Sequence, residues 1–360
     1  MSAVKALPPG STVGILGGGQ LARMLALAAA PLGLKCHIYA PEAESPAFQV
    51  SAAYTMAAYD DQSALQQFAK AVDVVTYEFE NVPVETVAFL EALVPVRPGS
   101  KALEVAQDRV KEKTLARQLG AMTAEFSRIT SLDDLKAAVN RQGVPGILKT
   151  TRMGYDGKGQ AKIVAVAEAP AAWAQMKNQT SIYESFVNFE REVSVLVARS
   201  INGQTACFDV TENVHHDQIL HTSTVPAQVS PELAAEAVFV AQRLAEAVDY
   251  VGVMGVEFFV GHDVLYVNEI APRVHNSGHW TQNACMVSQF EQHIRAVVGW
   301  PLGATQRHSD AVMTNLLGNE VHDWAKLAAE PGTALHLYGK AEDRPGRKMG
   351  HINRIHPRQA

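Results

Sequence analysis

Lys149, Lys158 and three glycines lie together in the segment ILKTTRMGYDGKGQAKIV, residues 147–164. Lys149 ends one apolar run, and Lys158 lies in a glycine-rich loop that opens into a second apolar run. Gly154, Gly157 and Gly159 can adopt positive φ and leave backbone N–H groups bare for anionic oxygens. A Walker loop needs Ser or Thr after its last lysine and a helix behind it, and neither is present. The pattern indicates either a mobile phosphate-binding flap between two strands or a plain structural hairpin.

The most specific motif of the sequence is VGVMGVEFFVGHDVLYVNEIAPR, residues 251–273, in which two predicted strands each carry a glutamate. A turn centred at Asp263 predicts that Glu257 lies directly opposite Glu269, with Asn268 one step along. A one-residue slip would place Asn268 opposite Glu257 instead. Like charges opposite each other are destabilising, so the pairing makes sense chiefly if Mg²⁺ joins them. Two solvated edge acids are the alternative.

Polar segments elsewhere are candidates for binding anions. Residues 272–281 carry almost no apolar side chain and precede a predicted helix, Gln282 to Val298. The adjacent His215 and His216, in a predicted polar loop, cannot both face one metal, so a phosphate or substrate contact suits one of them. The tail GKAEDRPGRKMG carries a basic cluster, which predicts either a phosphate site or a solvated loop. The cluster comprises Lys340, Arg344, Arg347 and Lys348.

The N-terminal region has the pattern of a Rossmann-like half. A strand, Thr12 to Leu16, runs into GGGQLA, a Gly-x-Gly-x-x-Ala fingerprint that opens a helix. The second strand, Lys35 to Tyr39, lacks the acid that would hold an adenine ribose, so NAD is not expected. The N-terminus of the helix remains a candidate phosphate site. Glu78 and Glu80 follow a predicted strand at residues 72–76, where ligands of open α/β sheets collect.

Bulk composition narrows the classes of function. At 360 residues the chain exceeds the usual size of a single core, so two or three subdomains are expected. A net charge of −6 argues against nucleic-acid and anionic-membrane surfaces. Cys36, Cys207 and Cys285 form no Cys-x-x-Cys pair, which suits a reducing compartment and offers no zinc site. No apolar run approaches the ~20 residues that span a bilayer, so a cytoplasmic protein is expected.

Together these motifs resemble the ATP-grasp family, in which two α/β lobes hold ATP between a glycine flap and a carboxylate-bound magnesium. They resemble most closely the members that carboxylate aminoimidazole ribonucleotide in purine biosynthesis. The resemblance extends from Gly14 to Gly350. Its most specific parts are GGGQLARML (17–25), GYDGKGQ (154–160), NEIAPRVHNSGHWTQN (268–283) and RPGRKMGH (344–351).

This resemblance implies an α/β fold of four parts. A Rossmann-like, pre-ATP-grasp domain would span 1–105, the small ATP-grasp lobe with the flap 106–190, the lobe with the Mg²⁺ site 191–300, and a small C-terminal domain 301–360. Lys158 stands where many relatives have arginine, which keeps the charge but loses the bidentate fork. A C-terminal helix of relatives is expected to be shortened or absent.

The resemblance also implies a ligase. ATP and bicarbonate would form carboxyphosphate, and the amine of aminoimidazole ribonucleotide would take the carboxyl group. Glu257 and Glu269 would hold Mg²⁺. The implied catalytic residues are Tyr155, Asp156, Lys158, His275 and Lys348. The implied ATP contacts are Arg109, Lys149, Gly154, Tyr155, Asp156, Gly157, Lys158, Gly159, Gln160, Glu184, Ser185, Phe186, Val187, Glu192, His215, Asn268 and Glu269. The implied ribonucleotide contacts are Gln20, Leu21, Glu78, Asn276, Lys340, Arg347 and Lys348.

A homodimer without nucleic-acid or membrane partners is the expected assembly. Three other functions stay open at this point. Formate-dependent formylation of glycinamide ribonucleotide shares most of these positions, although the run VHNSGHWTQN favours the imidazole substrate. A nucleotide-dependent oxidoreductase is suggested only by the glycine fingerprint. A silent nucleotide-binding regulator would be expected to lose Glu257, Glu269 or Lys149, and the chain keeps all three.

Overall fold

The N-terminal part of the chain is built on a parallel sheet. The computed structural model describes residues 6–153, 159–262 and 264–358. In chain order the first elements are β1 (Thr12–Leu16), α1 (Gln20–Ala29), β2 (Lys35–Ala40), β3 (Ala53–Met56), α2 (Gln62–Lys70), β4 (Val74–Tyr77), α3 (Val84–Glu91) and α4 (Ser100–Ala106). The strand order is β3-β2-β1-β4, with every neighbouring pair parallel. The expected Rossmann-like arrangement is therefore confirmed.

An antiparallel sheet forms the next lobe. Its elements are α5 (Arg109–Gln118), β5 (Met122–Thr123), β6 (Phe126–Ile129), α6 (Leu132–Gln142), β7 (Gly146–Thr150), β8 (Gln160–Ile163), α7 (Ala169–Gln175) and β9 (Ser181–Ser185). The sheet order is β6-β9-β7-β8. Lys149 lies opposite Gln160 at the base of the β7–β8 hairpin, which confirms the strand–loop–strand prediction. The predicted flap residues Gly154 to Lys158 lie outside the described residues.

A large sheet spans the rest of the chain. Its strands and helices are β10 (Arg191–Arg199), β11 (Thr205–Cys207), β12 (Thr211–His216), β13 (Ile219–Val225), α8 (Pro231–Ala247), β14 (Gly252–Gly261), β15 (Val264–Ala271), α9 (Thr281–Ala284), α10 (Gln289–Val298), β16 (Ser309–Leu317), α11 (Trp324–Ala328), β17 (Thr333–Leu337) and β18 (Lys348–Pro357). The order is β17-β18-β16-β13-β12-β10-β14-β15-β5, and β11 pairs with β10. The C-terminal strands therefore extend the same sheet through the β13–β16 pair.

Alternating residues of β10 explain how the large sheet is covered on both faces. Val195 and Val197 share a buried cluster with residues of α8. Leu196 and Ala198 belong to another cluster, which also contains residues of α1 and α10. Because successive side chains of a strand point to opposite faces, α8 covers one face and α10 the other. Helix α10 also packs on α1, so it joins the N-terminal part to the large sheet.

Two local predictions were wrong. The single helix predicted for Gln282 to Val298 is interrupted after α9, and α10 begins anew behind Ser288, whose Oγ accepts from the backbone N–H of Glu291 at 3.2 Å. A side-chain cap of this kind starts a helix, so the chain between the two helices is free to turn. The polar segment around His215 and His216 is strand β12 rather than a loop.

Candidate active site

A cleft of about 850 Å³ lies between the three sheets. It is lined by residues from both lobes and from the N-terminal sheet, including the loop after β4. Most predicted site residues that the structure describes line it: Gln20, Leu21, Glu78, Arg109, Lys149, Gln160, Phe186, Glu192, His215, Glu257, Asn268, Glu269, His275, Asn276 and Lys348. Six described residues of the prediction are not part of the lining: Gly159, Glu184, Ser185, Val187, Lys340 and Arg347.

Glu257 on β14 pairs directly with Glu269 on β15, as predicted. The turn differs from the one expected, because Gly261 pairs with Val264 and Phe258 with Val267. That register alone would place Asn268 opposite Glu257. Strand β15 has a β-bulge at Asn268, opposite the step from Glu257 to Phe258. The bulge leaves Asn268 without a cross-strand partner on β14 and moves Glu269 into the position facing Glu257. The bulge therefore creates the carboxylate pair.

The facing carboxylates have the electrostatics of a cation site. Burial, together with the charge of Glu269, raises the pKa of Glu257. Among the described residues, no group of three or more His, Cys, Asp or Glu side chains is arranged to hold a metal. Mg²⁺ commonly takes only one or two carboxylates from a protein and completes its shell with phosphate oxygens and water. Glu257 and Glu269 fit that use, with the remaining ligands supplied by a bound nucleotide.

His275 is fixed beside this pair rather than free in the cleft. Its Nδ1 accepts from the backbone N–H of Ser277 at 3.4 Å and lies 2.8 Å from Ser277 Oγ. Burial lowers the pKa of His275 well below its usual value, which favours the neutral ring. Because Nδ1 accepts from the Ser277 N–H, the tautomer that fits this geometry carries its proton on Nε2. Nε2 is 3.4 Å from Glu257 Oε1. His275 is therefore placed to orient the Glu257 carboxylate.

A buried ion-pair network extends behind Lys149. Lys149 Nζ donates to Glu184 Oε2 at 2.8 Å, and Lys113 Nζ lies 3.3 Å from Glu184 Oε1. Burial alone would raise the pKa of Glu184, but the two ammonium groups outweigh it and hold that pKa to about 2. Glu184 thus orients Lys149 from behind and stays ionised. Lys113 was not predicted as a site residue, since a charged helix offers no sign of which lysine is buried.

The start of α1 already holds a carboxylate, which corrects the expectation of an open phosphate site there. Glu78 accepts from the backbone N–H groups of Gly19 and, at 2.8 Å, of Ala22. A Cβ on Gly19 would lie 2.7 Å from Glu78 Oε1, so glycine is needed for this close approach. The glycines of the fingerprint therefore leave room for the Glu78 side chain. Burial raises the pKa of Glu78 and the two amides lower it, and the net result is a raised pKa. The amides of Gln20 and Leu21 belong to the same first turn, where N–H groups lack partners within the helix.

Glu80 and Arg273 form an ion pair across the cleft that the sequence did not single out as a pair. Arg273 donates through Nε to Glu80 Oε2 and through Nη2 to Glu80 Oε1, the latter at 3.1 Å. Burial would raise the pKa of Glu80, but Arg273 lowers it below its usual value. The pair joins the loop after β4 to the segment after β15. Its members were visible only as separate charges, since they are 193 positions apart in the sequence.

The basic cluster divides between the cleft and the surface. Lys348 lines the cleft. Lys340 Nζ donates to the backbone carbonyl of Lys348 at 2.6 Å, and burial lowers the pKa of Lys340 to about 8. Arg347 Nη1 donates to the backbone carbonyl of Glu342 at 3.0 Å in an exposed setting. Of Lys340, Arg347 and Lys348, Lys348 is therefore the best placed to bind an anion in the cleft.

The far end of the cleft combines apolar side chains with polar ones. The rings of Phe189 and Phe259 stack with their centroids 4.5 Å apart, and Phe186 lines the same region. His215 Nδ1 lies 3.2 Å from Glu192 Oε1. Burial would lower the pKa of His215, but Glu192 raises it above its usual value. This end of the cleft suits a flat base attached to a polar sugar.

Family models match three successive stretches of the chain. The ribonucleotide synthetase preATP-grasp domain matches residues 11–107, the ATP-grasp domain residues 114–290, and the phosphoribosylaminoimidazole carboxylase C-terminal domain residues 311–360. Together with the cleft, these matches define an ATP-dependent ligase of the ATP-grasp class, which confirms the expected fold class.

Relatives narrow the class further. N5-carboxyaminoimidazole ribonucleotide synthase of Brucella melitensis is 52% identical over 355 residues, covering 98% of each chain. A crystal structure of an N5-carboxyaminoimidazole ribonucleotide synthetase with ADP superposes with a TM-score of 0.94 at 42% identity, covering 98% of this chain and 94% of that one. The Aspergillus clavatus synthase in complex with ADP and 5-aminoimidazole ribonucleotide gives 0.90 at 30% identity, covering 96% and 94%. The chain belongs to the N5-carboxyaminoimidazole ribonucleotide synthase family.

Among the described helices, none is both long and apolar enough to cross a bilayer.

Proposed function

We propose that this chain uses ATP and bicarbonate to carboxylate 5-aminoimidazole ribonucleotide, giving the N5-carboxylated product, ADP and phosphate. The observation that carries the proposal is the facing pair Glu257 and Glu269, in one cleft with Lys149. Phosphoryl transfer requires a metal ion and positively charged side chains, because its transition state spreads negative charge over the transferred phosphoryl oxygens. Glu257 and Glu269 would hold the metal ion, and Lys149 would supply positive charge. Family membership supplies the choice of substrate.

In the first step a bicarbonate oxygen attacks the γ-phosphorus of ATP, the bond to the β–γ bridging oxygen breaks, and ADP leaves. Lys149 and Arg109 line the cleft and bring positive charge to the phosphates. Glu257 and Glu269 would hold Mg²⁺, which neutralises phosphate charge when bound. Phe186, Phe189 and Phe259 would accommodate the adenine. Glu192 and His215 would bind the ribose and phosphates nearby.

In the second step the exocyclic amine attacks the carbonyl carbon of carboxyphosphate. Phosphate leaves, and the amine nitrogen loses one proton. We expect Gln20, Leu21, Asn276 and Lys348 to hold the ribonucleotide, with Lys340 fixing the backbone at Lys348. Tyr155, Asp156 and His275 are our candidates for orienting bicarbonate and the amine, and Lys158 would add positive charge. Carboxyphosphate is readily lost to water, so a flap that covers the cleft is part of the chemistry.

The proposal is tested by the substrate dependence of ADP release. We expect little release with bicarbonate alone and rapid release when aminoimidazole ribonucleotide is added, with carboxylated product formed in step. Glycinamide ribonucleotide with formate is the comparison. Turnover that depended on formate and glycinamide ribonucleotide would assign the chain to the formyltransferase reaction instead.

We further expect a cytoplasmic homodimer organised in the four parts 1–105, 106–190, 191–300 and 301–360. The net charge of −6 supports the absence of a nucleic-acid partner. The family resemblance supports the dimer. Sedimentation equilibrium tests it, and a monomer at micromolar concentration would contradict it.

A further inference from the structure

The bulge at Asn268 lies where β15 loses its neighbouring strand. β5 pairs with β15 through Met122 opposite Tyr266 and Thr123 opposite Val267, and the pairing ends there. Buried backbone N–H and C=O groups need partners, so the outer edge of β15 beyond Val267 must be satisfied by something other than β5.

Two adjacent side chains of α5 take over that edge. Lys113 Nζ donates to the backbone carbonyl of Asn268 at 3.0 Å. The carboxylate of Glu112 accepts from the backbone N–H of Ile270. In a parallel ladder, one residue donates to the carbonyl of residue i on its neighbour and accepts from the N–H of residue i+2. Glu112 and Lys113 therefore replace one residue of the missing strand.

The residue types at these two positions are explained by this contact. Glu112 and Lys113 are each only 2% exposed. Burying charged side chains in a plain helix–sheet contact is costly, and an apolar pair of similar volume would pack there without that cost. A donor beside an acceptor is what the bulged edge needs. Lys113 also shares Glu184 with Lys149, so the same ammonium group connects the bulge to the phosphate side of the cleft.

We propose that Glu112 and Lys113 are positioning residues of the metal site, which hold the bulge at Asn268 and so keep Glu269 opposite Glu257. Repulsion between the two carboxylates favours any shift that separates them. Loss of the bulge would place Asn268 opposite Glu257 and turn Glu269 to the other face of the sheet. The inference rests on the proposed role of Glu257 and Glu269 as Mg²⁺ ligands.

The test compares Lys113→Met and Glu112→Met with two controls. Glu112→Gln keeps an acceptor for the Ile270 amide, and Lys111→Met removes an exposed lysine from the same helix. The first readout is the affinity for Mn²⁺ at saturating ADP, measured by electron paramagnetic resonance. The second is hydrogen–deuterium exchange of the peptide 264–272. We expect the two test variants to bind Mn²⁺ about ten-fold more weakly and to exchange faster, and both controls to stay within two-fold of wild type.

Affinity for ADP in the presence of EDTA separates the bulge from the nucleotide contacts. We expect it to be unchanged in Lys113→Met. Wild-type Mn²⁺ affinity in that variant would overturn the proposal. A matching loss of metal-free ADP affinity would also overturn it, because Lys113 would then act through Glu184 and Lys149.

A second pair of variants guards against a misfolded protein. Removing Lys113 alone leaves the buried Glu184 carboxylate with one ammonium partner instead of two. The double variant Lys113→Met with Glu184→Gln avoids this, and it is compared with Glu184→Gln alone. We expect the combined variant to bind Mn²⁺ about ten-fold more weakly than the single one, and equal affinities would sink the idea. None of these readouts requires carboxylation, so a protein that behaves as expected here but makes no carboxylated product would overturn the proposed function alone.

Discussion

Glu269 is the residue at which we expect the demands of catalysis and of folding to oppose each other. We predict that Glu269→Gln abolishes ATP turnover while leaving the fold intact, because it removes a charge with almost no change in volume and relieves repulsion at Glu257. Melting temperature without Mg²⁺ should hold or rise. A fall of several degrees would show instead that Glu269 makes a structural contact.

Glu184 is the opposite case, a carboxylate that stabilises the fold through its charge. Its folded-state pKa of about 2 lies below the ordinary value, so its contribution is present at neutral pH and is lost as pH falls from about 4.5 toward 2. The shift corresponds to roughly 3 kcal/mol. We predict that Glu184→Gln lowers the free energy of unfolding by about that amount at pH 7, and that the gap from wild type narrows by pH 3.

Urea unfolding at several pH values provides the measurement. Glu125 is exposed, so Glu125→Gln is the matched control and should show a small gap at every pH. A gap for Glu184→Gln that is independent of pH would mean that packing, rather than charge, makes the contribution.

At the scale of single residues, the sequence shows which side chains could act in a site better than it shows which of them are buried and what they contact. The pairing of Glu257 with Glu269 was predicted, but from a turn that differs from the observed one, and the bulge at Asn268 is what restores the pairing. The burial of Lys113 was not, because Arg109, Lys111 and Lys113 look equivalent in DRVKEKTLARQ and only packing against β15 distinguishes them. Glu78 was expected to contact substrate, and its contact with α1 depends on how β4 lies beside β1.

At the scale of elements, periodicity and caps predicted most boundaries. Ser131 accepts from the N–H of Asp134 and Ser230 from that of Leu233, as their positions before the helices suggested. The break before α10 was missed, although Ser288 and Glu291 have the spacing of a cap and its first turn. The bulge was not readable, because it depends on contacts with α5, far away in sequence.

The flap carries the prediction that belongs to this scale. A β-branched residue resists positive φ, so Gly157→Val should hold the loop open if Gly157 adopts that conformation to close it. Water would then compete for carboxyphosphate. We predict several ADP released per carboxylated product, where the wild type forms close to one.

Both products must be measured in the same reaction. Thr150→Val, which keeps a β-branched side chain at the base of the hairpin, is the control for a substitution near the loop, and it should keep the ratio near one. A ratio near one in Gly157→Val, with both activities reduced together, would mean that the loop is only structural.

For the whole molecule, the question is what aligns the N-terminal sheet with the large one. Apolar residues of α1 and α10 share one buried cluster. Hydrophobic burial is non-directional, so this cluster holds the two parts together without fixing their relative orientation. Hydrogen bonds add direction, and Glu80 with Arg273 forms a bidentate contact across the cleft itself. Thr76 with His293, and Arg97 with the backbone carbonyl of Val297, are further contacts between the two parts. This long-range pairing is what sequence reasoning could not reach, although the parallel sheet and the β7–β8 hairpin were predictable locally.

We predict that Glu80 and Arg273 are coupled more strongly than a surface pair of the same geometry. Their side chains are 27% and 17% exposed, whereas those of the bidentate surface pair Glu330 and Arg354 are 38% and 35% exposed. Shielded hydrogen bonds to charged groups contribute about 1.5–3 kcal/mol, and exposed ion pairs about 0.2–1 kcal/mol. Double-mutant cycles with Glu→Gln and Arg→Gln, followed by urea unfolding, should give about 2 kcal/mol for the cleft pair and under about 1 kcal/mol for the surface pair. Since each cycle subtracts the single-variant losses, equal coupling energies would mean that the cleft pair is as solvated as the surface one and that other contacts, among them the α1–α10 packing and the Thr76–His293 hydrogen bond, align the two sheets.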